Sequence, residues 1–103
     1  MTMKILIVDD EHDIRRLISE ILTDEGYETI ESASSKDALG ALKRHNPDLM
    51  ILDIWLEGSE LDGIQLLQRA QDEIPDLPII MISGHGDIET AVNAIKLGAY
   101  DFI

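Results

Sequence analysis

The sequence has 103 residues, no cysteine and a formal net charge of −13, and 45% of its residues are apolar. This apolar fraction can form the core of one domain, which argues against a disordered acidic tail. The lack of cysteine excludes disulfide frameworks, zinc–thiolate sites and thiol catalysis. The 8 Lys and Arg residues are too few for a protein that mainly binds nucleic acid or anionic membranes. No apolar run approaches the roughly 20 residues that span a bilayer, so we expect a cytoplasmic domain.

Short apolar runs alternate with longer segments of helical periodicity. Residues 5–8 are rich in β-branched side chains and predict a buried strand. A helix follows, and Gly26 is suited to close it. The apolar stripe of this helix consists of Ile14, Leu17, Ile18, Ile21 and Leu22. Tyr27 to Ile30 predict a short second strand.

The alternation continues through the middle of the chain. Ser34 or Ser35 is suited to cap a second helix, which Asn46-Pro47 ends. Residues 49–52 predict a third buried strand, and Asp53 closes it.

The last third of the chain repeats the pattern. A third helix is predicted from Gly63, and residues 79–82 predict a fourth strand. Asp87 is suited to cap a fourth helix that Gly98 closes, and residues 100–103 open a fifth strand. Strands that alternate with helices imply a parallel sheet covered on both faces.

Carboxylates and a serine follow the predicted strands. Asp9 and Asp10 follow the first strand, Asp53 closes the third, and Ser83 follows the fourth. Ligands of parallel sheets bind at these carboxyl ends. If the first and third strands are neighbours, three carboxylates share one pocket, where two charges about 4 Å apart repel by about 4 kcal/mol. Such a pocket needs a raised pKa or a bound cation such as Mg²⁺, and with Mg²⁺ an aspartate can accept a phosphoryl group.

These motifs resemble those of the response regulator receiver domain of two-component signalling. Residues 7–11 resemble its acidic motif, residues 47–53 its phosphoacceptor strand, residues 82–84 its Ser/Thr position and residues 96–103 the run into its last strand. The nitrogen-regulation (Ntr) type, in particular its NtrX branch, is most similar in segments 55–63 and 84–92.

The resemblance implies a role for each matching residue. Asp53 would accept a phosphoryl group from a sensor histidine kinase. Mg²⁺ would be bound by Asp10, Asp53 and the backbone carbonyl of Trp55, with Asp9 acting largely through water.

Two further residues match the positions through which the family switches. Ser83 would hydrogen-bond the phosphoryl oxygen, and Phe102 stands at the position of the switch aromatic. The domain would catalyse only its own phosphorylation and dephosphorylation, so we do not expect an enzyme that acts on an external metabolite. Expected partners are the kinase and the effector modules of a transcriptional-regulator parent, namely an ATPase module and a DNA-binding domain.

The resemblance also implies a flavodoxin-like (CheY-like) doubly wound parallel sheet with strand order 2-1-3-4-5. Residues 1–103 would form one receiver (REC) domain. The family's phosphate-pairing lysine and final helix have no counterpart in this sequence, so we expect a truncated receiver with an incomplete last strand. The apolar face left without that helix would favour a homodimer.

Three alternatives to a phosphoacceptor share some of these features. A haloacid-dehalogenase-type phosphatase needs a second Asp two residues after the nucleophile, where this chain has Trp55. A flavodoxin needs a phosphate loop rich in Ser, Thr and Gly after the first strand, where Asp9 and Asp10 would repel a phosphate. A receiver fragment that docks partners without phosphorylation stays the principal alternative.

Overall fold

The computed structural model describes residues 2–56 and 60–82, and residues 101–102 by their backbone. Its elements in chain order are β1 (Lys4–Val8), α1 (His12–Asp24), β2 (Glu28–Ser32), α2 (Ser35–His45), β3 (Leu49–Asp53), α3 (Gly63–Glu73), β4 (Ile79–Ile82) and β5 (Asp101–Phe102). Within these residues the strands form one parallel sheet in the order β2-β1-β3-β4-β5. The predicted sheet and strand order are therefore confirmed. The predicted fourth helix, Ser83 and the side chain of Phe102 lie outside the described residues.

Helices cover both faces of the sheet. Leu6, Met50 and Met81 lie on one face, where α2 and α3 pack over them to form the main core. Ile7 lies on the opposite face with Thr29 of β2, whose hydroxyl is 2.7 Å from the Ser19 hydroxyl of α1. Because β1 is buried on both faces, its side chains form a continuous apolar run. Among the described helices, none is long and apolar enough to cross a membrane.

Helix α1 turns only part of its apolar stripe to the sheet, namely Ile18 and Leu22. Its buried and half-buried positions on the sheet side are Arg15, Ile18, Ser19 and Leu22. The exposed fractions of three stripe residues are 44% for Ile14, 57% for Leu17 and 53% for Ile21. The reason lies in β2, which presents polar Thr29 and Glu31 to the helix and so favours polar partners there. An apolar row is thereby left on the outer side of α1.

The second strand begins at Glu28, one residue later than predicted, because Tyr27 belongs to the turn that closes α1. The Tyr27 amide donates to the Leu22 carbonyl (3.1 Å), and the Gly26 amide donates to the Thr23 carbonyl (3.0 Å). This pair of bonds is the Schellman arrangement, which places Gly26 at a φ of 95°. Tyr27 is 39% exposed and precedes the strand, so the prediction that the strand begins at Tyr27 was wrong.

The predicted boundaries of α2 are resolved in favour of Ser34 as the N-cap. Its hydroxyl oxygen accepts a hydrogen bond from the Asp37 amide (3.3 Å). The helix ends at His45, and its C-cap Asn46 adopts a left-handed φ of 47° and leads into Pro47. Asparagine tolerates this conformation better than most residues, so the helix ends where the sequence indicates.

Helix α3 begins directly against the chain that leaves β3. The Asp62 carboxylate accepts from the Gln65 amide (2.8 Å), and the Gln65 side chain accepts from the Asp62 amide (3.0 Å). A Cβ on Gly63 would lie 2.5 Å from the Cα of Ile54 and 2.6 Å from the carbonyl oxygen of Asp53. Glycine therefore lets the helix pack against the backbone that carries Asp53.

Candidate metal site

Three predicted site residues come together at the carboxyl edge of the sheet. β1 pairs with β3, so Asp9 and Asp10, which follow β1, lie beside Asp53 at the end of β3. One carboxylate oxygen from each of the three residues lies within 4.8 Å of the other two. The condition set by the sequence, that the first and third strands be neighbours, is met.

Asp9 is the most deeply buried member of this cluster, with an exposed fraction of 3%. Its Oδ1 accepts a hydrogen bond from the Glu11 amide (2.9 Å), and its own amide donates to the Ser32 carbonyl of β2 (3.2 Å). Burial raises the pKa of the Asp9 carboxyl above its ordinary value, and the charge of Asp10 adds to the rise. The Glu11 amide and the charge of Arg15 oppose it.

Asp53 is half-buried at the end of its strand. The Trp55 amide donates to its Oδ1 (3.0 Å), while the next residue, Ile54, continues the sheet by donating to the Ile82 carbonyl (3.0 Å). Burial raises the pKa of Asp53 to about 6, and repulsion from Asp9 and Asp10 contributes. The hydrogen bond from Trp55 lowers the pKa but does not cancel the rise.

The chemistry of these donors fits a hard divalent cation. Asp9, Asp10 and Asp53 offer only carboxylate oxygens, which are ligands that Mg²⁺ prefers. Their mutual repulsion and burial oppose full ionisation, and a bound cation would relieve both costs. The arrangement can therefore hold a cation beside a carboxylate, a kind of group that can attack phosphorus.

The remaining predicted site residues are located as follows. Trp55 lies in the turn after β3 and uses its amide to hold Asp53, while the role of its carbonyl as a ligand stays a prediction. The roles of Ser83 and Phe102 also stay predictions, since neither side chain is among those described.

Sequence reasoning missed two residues that border the cluster. Arg15 Nη1 donates to the Asp9 carbonyl (2.8 Å), and Arg15 Nε donates to Glu31 Oε1 (3.2 Å). A usable signal was the helical spacing that places Arg15 on the same side as Ser19. Because Arg15 is charged, the apolar periodicity of α1 does not indicate that it faces the sheet.

Residues 5–103 match the response regulator receiver domain family, and the chain belongs to this family. Among curated relatives it is similar to the nitrogen assimilation regulatory protein NtrX of Azorhizobium caulinodans, with 54% identity over 103 residues. That match covers 100% of this chain and 23% of the relative. The sporulation initiation phosphotransferase F of Bacillus subtilis is 35% identical over 99 residues, which cover 96% of this chain and 78% of that protein.

Solved structures give the same relationship. The crystal structure of the receiver domain of NtrX from Brucella abortus has a TM-score of 0.93 and 56% identity, covering 96% of this chain and 82% of that one. A crystal structure of NtrX from the same organism has a TM-score of 0.96 and 55% identity, covering 100% of this chain and 23% of that one. The chain thus spans under a quarter of the NtrX proteins to which it is similar.

Proposed function

We propose that this chain is the phosphoacceptor receiver domain of an NtrX-like response regulator, with Asp53 as the acceptor. The observation that carries the proposal is the convergence of Asp9, Asp10 and Asp53 at one edge of the sheet. The likeness to NtrX supports a sensor histidine kinase as the phosphoryl donor and a cytoplasmic role in the regulation of nitrogen-related transcription. The ATPase and DNA-binding modules of a longer parent would be the effectors.

The proposed cofactor is Mg²⁺. Asp9, Asp10 and Asp53 would hold it together with the Trp55 carbonyl, the ligand implied by the family likeness. Bound there, Mg²⁺ would offset the charges of the carboxylates and of the incoming phosphoryl oxygens. The hydrogen bond from the Trp55 amide holds the Asp53 side chain in one orientation at the end of its strand.

In the proposed reaction, a carboxylate oxygen of Asp53 attacks the phosphorus of a phosphohistidine. The P–N bond breaks, its electron pair stays on the imidazole nitrogen, and a P–O bond forms to give an aspartyl phosphate. Ser83 would donate a hydrogen bond to a phosphoryl oxygen. The added charge of about −1.5 to −2 would shift the equilibrium between an inactive and an active conformation of the domain, which present different surfaces to partners. Phe102 would be part of this switch. Water would then attack the phosphorus of the aspartyl phosphate and break the P–O bond to Asp53, which releases inorganic phosphate and the free carboxylate, so the domain would act only on itself.

The alternative, docking of partners without phosphorylation, is less well supported. Docking alone requires no cluster of three carboxylates, and burial together with the charge of Asp10 raises the pKa values of both Asp9 and Asp53. Buried carboxyl groups with raised pKa values are typical of functional sites. Self-association stays a prediction.

The test is labelling by radiolabelled acetyl phosphate in the presence of Mg²⁺. We expect label in the wild type and in Asp72→Asn, which removes an exposed carboxylate from α3, and none in Asp53→Asn. Hydroxylamine should release the label, since it cleaves acyl phosphates. Acyl phosphate on Asp53→Asn would refute the site assignment, and a folded wild type that takes no label would favour docking.

A further inference from the structure

Arg15 connects the acidic cluster to the two elements that flank it. Its guanidinium donates from Nη1 to the Asp9 carbonyl (2.8 Å) and from Nε to Glu31 Oε1 (3.2 Å). Arg15 lies on α1, Glu31 lies on β2 beside Ile7 of β1, and Asp9 begins the loop between β1 and α1. One planar side chain therefore joins a helix, a strand and the loop that carries two of the carboxylates.

The carbonyl that Arg15 holds belongs to the peptide bond between Asp9 and Asp10. Because a peptide unit is planar, a hydrogen bond to this oxygen restrains the orientation of the plane that contains the Cα atoms of both aspartates. The same loop is held by the Asp9 amide on the Ser32 carbonyl (3.2 Å) and by the Glu11 amide on Asp9 Oδ1 (2.9 Å). Of these contacts, only the one from Arg15 is made to the peptide unit that links Asp9 to Asp10, so it bears on the orientation of both side chains.

Building on the proposed Mg²⁺ site, we infer that Arg15 is a positioning residue, which orients Asp9 and Asp10 for the cation by holding the carbonyl between them. Glu31 holds the guanidinium from the other side. This pair is largely shielded from water, since the side chain of Glu31 is 23% exposed and that of Arg15 is 13% exposed. An arginine suits this task because its rigid fork serves two acceptors at once. Partners of this kind, one step removed from the metal, typically change metal affinity by about 10–100-fold.

The chain supplies a matched control in Arg16. Its Nη1 donates to the other oxygen of the same carboxylate, Glu31 Oε2 (2.6 Å), but its side chain is 47% exposed, and its Nη2 lies 3.7 Å from Glu20 Oε1. Arg15→Gln and Arg16→Gln each remove one positive charge that faces Glu31. Only the first removes the hydrogen bond to the Asp9 carbonyl.

The sign of the change separates positioning from simple charge. At about pH 8, where the carboxylates are ionised with or without Arg15, a role through charge alone predicts that Arg15→Gln tightens Mg²⁺ binding, because a positive charge beside a cation site opposes the cation. Positioning predicts the opposite, a rise of about tenfold or more in the dissociation constant for Mg²⁺. Arg15→Lys keeps the charge but not the fork, so it should also bind Mg²⁺ more weakly than the wild type.

The experiment is a titration of each purified variant with MgCl₂, followed by calorimetry and by the fluorescence of Trp55, the single tryptophan. Thermal unfolding without Mg²⁺ shows that each variant is folded at the temperature of titration. We expect weaker binding in Arg15→Gln and Arg15→Lys and a change of less than about twofold in Arg16→Gln.

Three results would overturn the inference. Unchanged or tighter binding in Arg15→Gln would assign Arg15 no positioning role, and so would equal weakening in Arg16→Gln. A folded wild type that binds no Mg²⁺ would refute the proposed metal site itself, and the inference with it. The first two results leave the proposed function intact, so the two failures are distinguishable.

Discussion

At the scale of single residues, the most informative group is the carboxyl of Asp53. Burial and the neighbouring aspartates raise its pKa to about 6 from an ordinary 3.8. The folded protein therefore holds this proton more tightly than the unfolded chain does. The burial and the like charges that suit the site to a cation therefore lower the stability of the folded protein when no cation is bound.

The first prediction concerns pH. Without divalent metal, the contribution of Asp53 to the free energy of unfolding is most favourable below about pH 4, falls as the pH rises from about 4 to about 6, and is constant above that. The loss should amount to at most about 3 kcal/mol. Urea unfolding at about pH 4.5 and about pH 7 measures roughly two thirds of it, and Asp53→Asn should remove this part of the pH dependence. An equally steep dependence in Asp53→Asn would contradict the prediction.

The second prediction concerns Asp10, which contributes repulsion to both other members of the cluster. Asp10→Asn should raise the free energy of unfolding of the metal-free protein by about 1 kcal/mol at neutral pH, because one charge of the cluster is removed. The same change should weaken Mg²⁺ binding. Urea unfolding with a chelator and calorimetric titration with MgCl₂ measure the two effects. Asp72→Asn is the control, and no gain in stability would mean that the carboxylates do not repel as proposed.

At the scale of elements, the start of α3 decides where the chain leaves β3. The capping box of Asp62 and Gln65 fixes the first turn, and Gly63 brings that turn against the backbone of Ile54. The helix thereby supports the strand end that carries Asp53. Its contribution to the site is steric, since glycine is the residue that leaves room for this contact.

The third prediction compares two glycines in helices. Gly63→Ala should lower the free energy of unfolding by about 1–3 kcal/mol, because its Cβ would lie 2.5 Å from backbone atoms that must then move. Gly40→Ala in α2 should raise it by up to about 1 kcal/mol, because its Cβ would meet only the end of the Arg44 side chain at 3.4 Å while helix propensity improves. Chemical unfolding measures both. Equal effects would show that α3 does not pack as described.

At the scale of the whole molecule, metal binding and folding are coupled. The carboxylates come from the loop after β1 and from the end of β3, and only the assembled sheet brings them within 4.8 Å. A cation that binds these three together binds the folded chain in preference to the unfolded one. The free energy of unfolding should therefore increase when the cation binds.

The fourth prediction follows from this coupling. Mg²⁺ at about 100 times its dissociation constant should stabilise the wild type by about 2.7 kcal/mol, which raises the Tm by roughly 10–20 °C. The rise should be smaller at about pH 5, where Asp53 is more often protonated, and nearly absent in Asp53→Asn. Thermal unfolding in MgCl₂ and in NaCl of equal ionic strength separates binding from screening. A similar rise in Asp53→Asn would place the metal elsewhere.

The sequence by itself determined the local structure and the chemistry available at each strand end. Continuous apolar runs gave the buried strands, and Ser34, Asn46 and Gly26 marked helix ends through their own hydrogen bonds or backbone conformations. The acids Asp9 and Asp53 adjoin those runs directly, so the candidate ligands could be named beforehand. These features depend on residues that are close together in the sequence, so the sequence pattern is enough to predict them.

Only the tertiary structure decided which elements meet. The pattern left open whether the first and third strands are neighbours, and the strand order came from family likeness. The structure pairs β1 with β3 and also turns Arg15 and Ser19 inward, because β2 offers Glu31 and Thr29 as hydrogen-bonding partners. A buried polar group is stable only with such a partner, and here the partner lies 10 to 16 residues away in sequence. Periodicity of apolar residues carries no information about that contact.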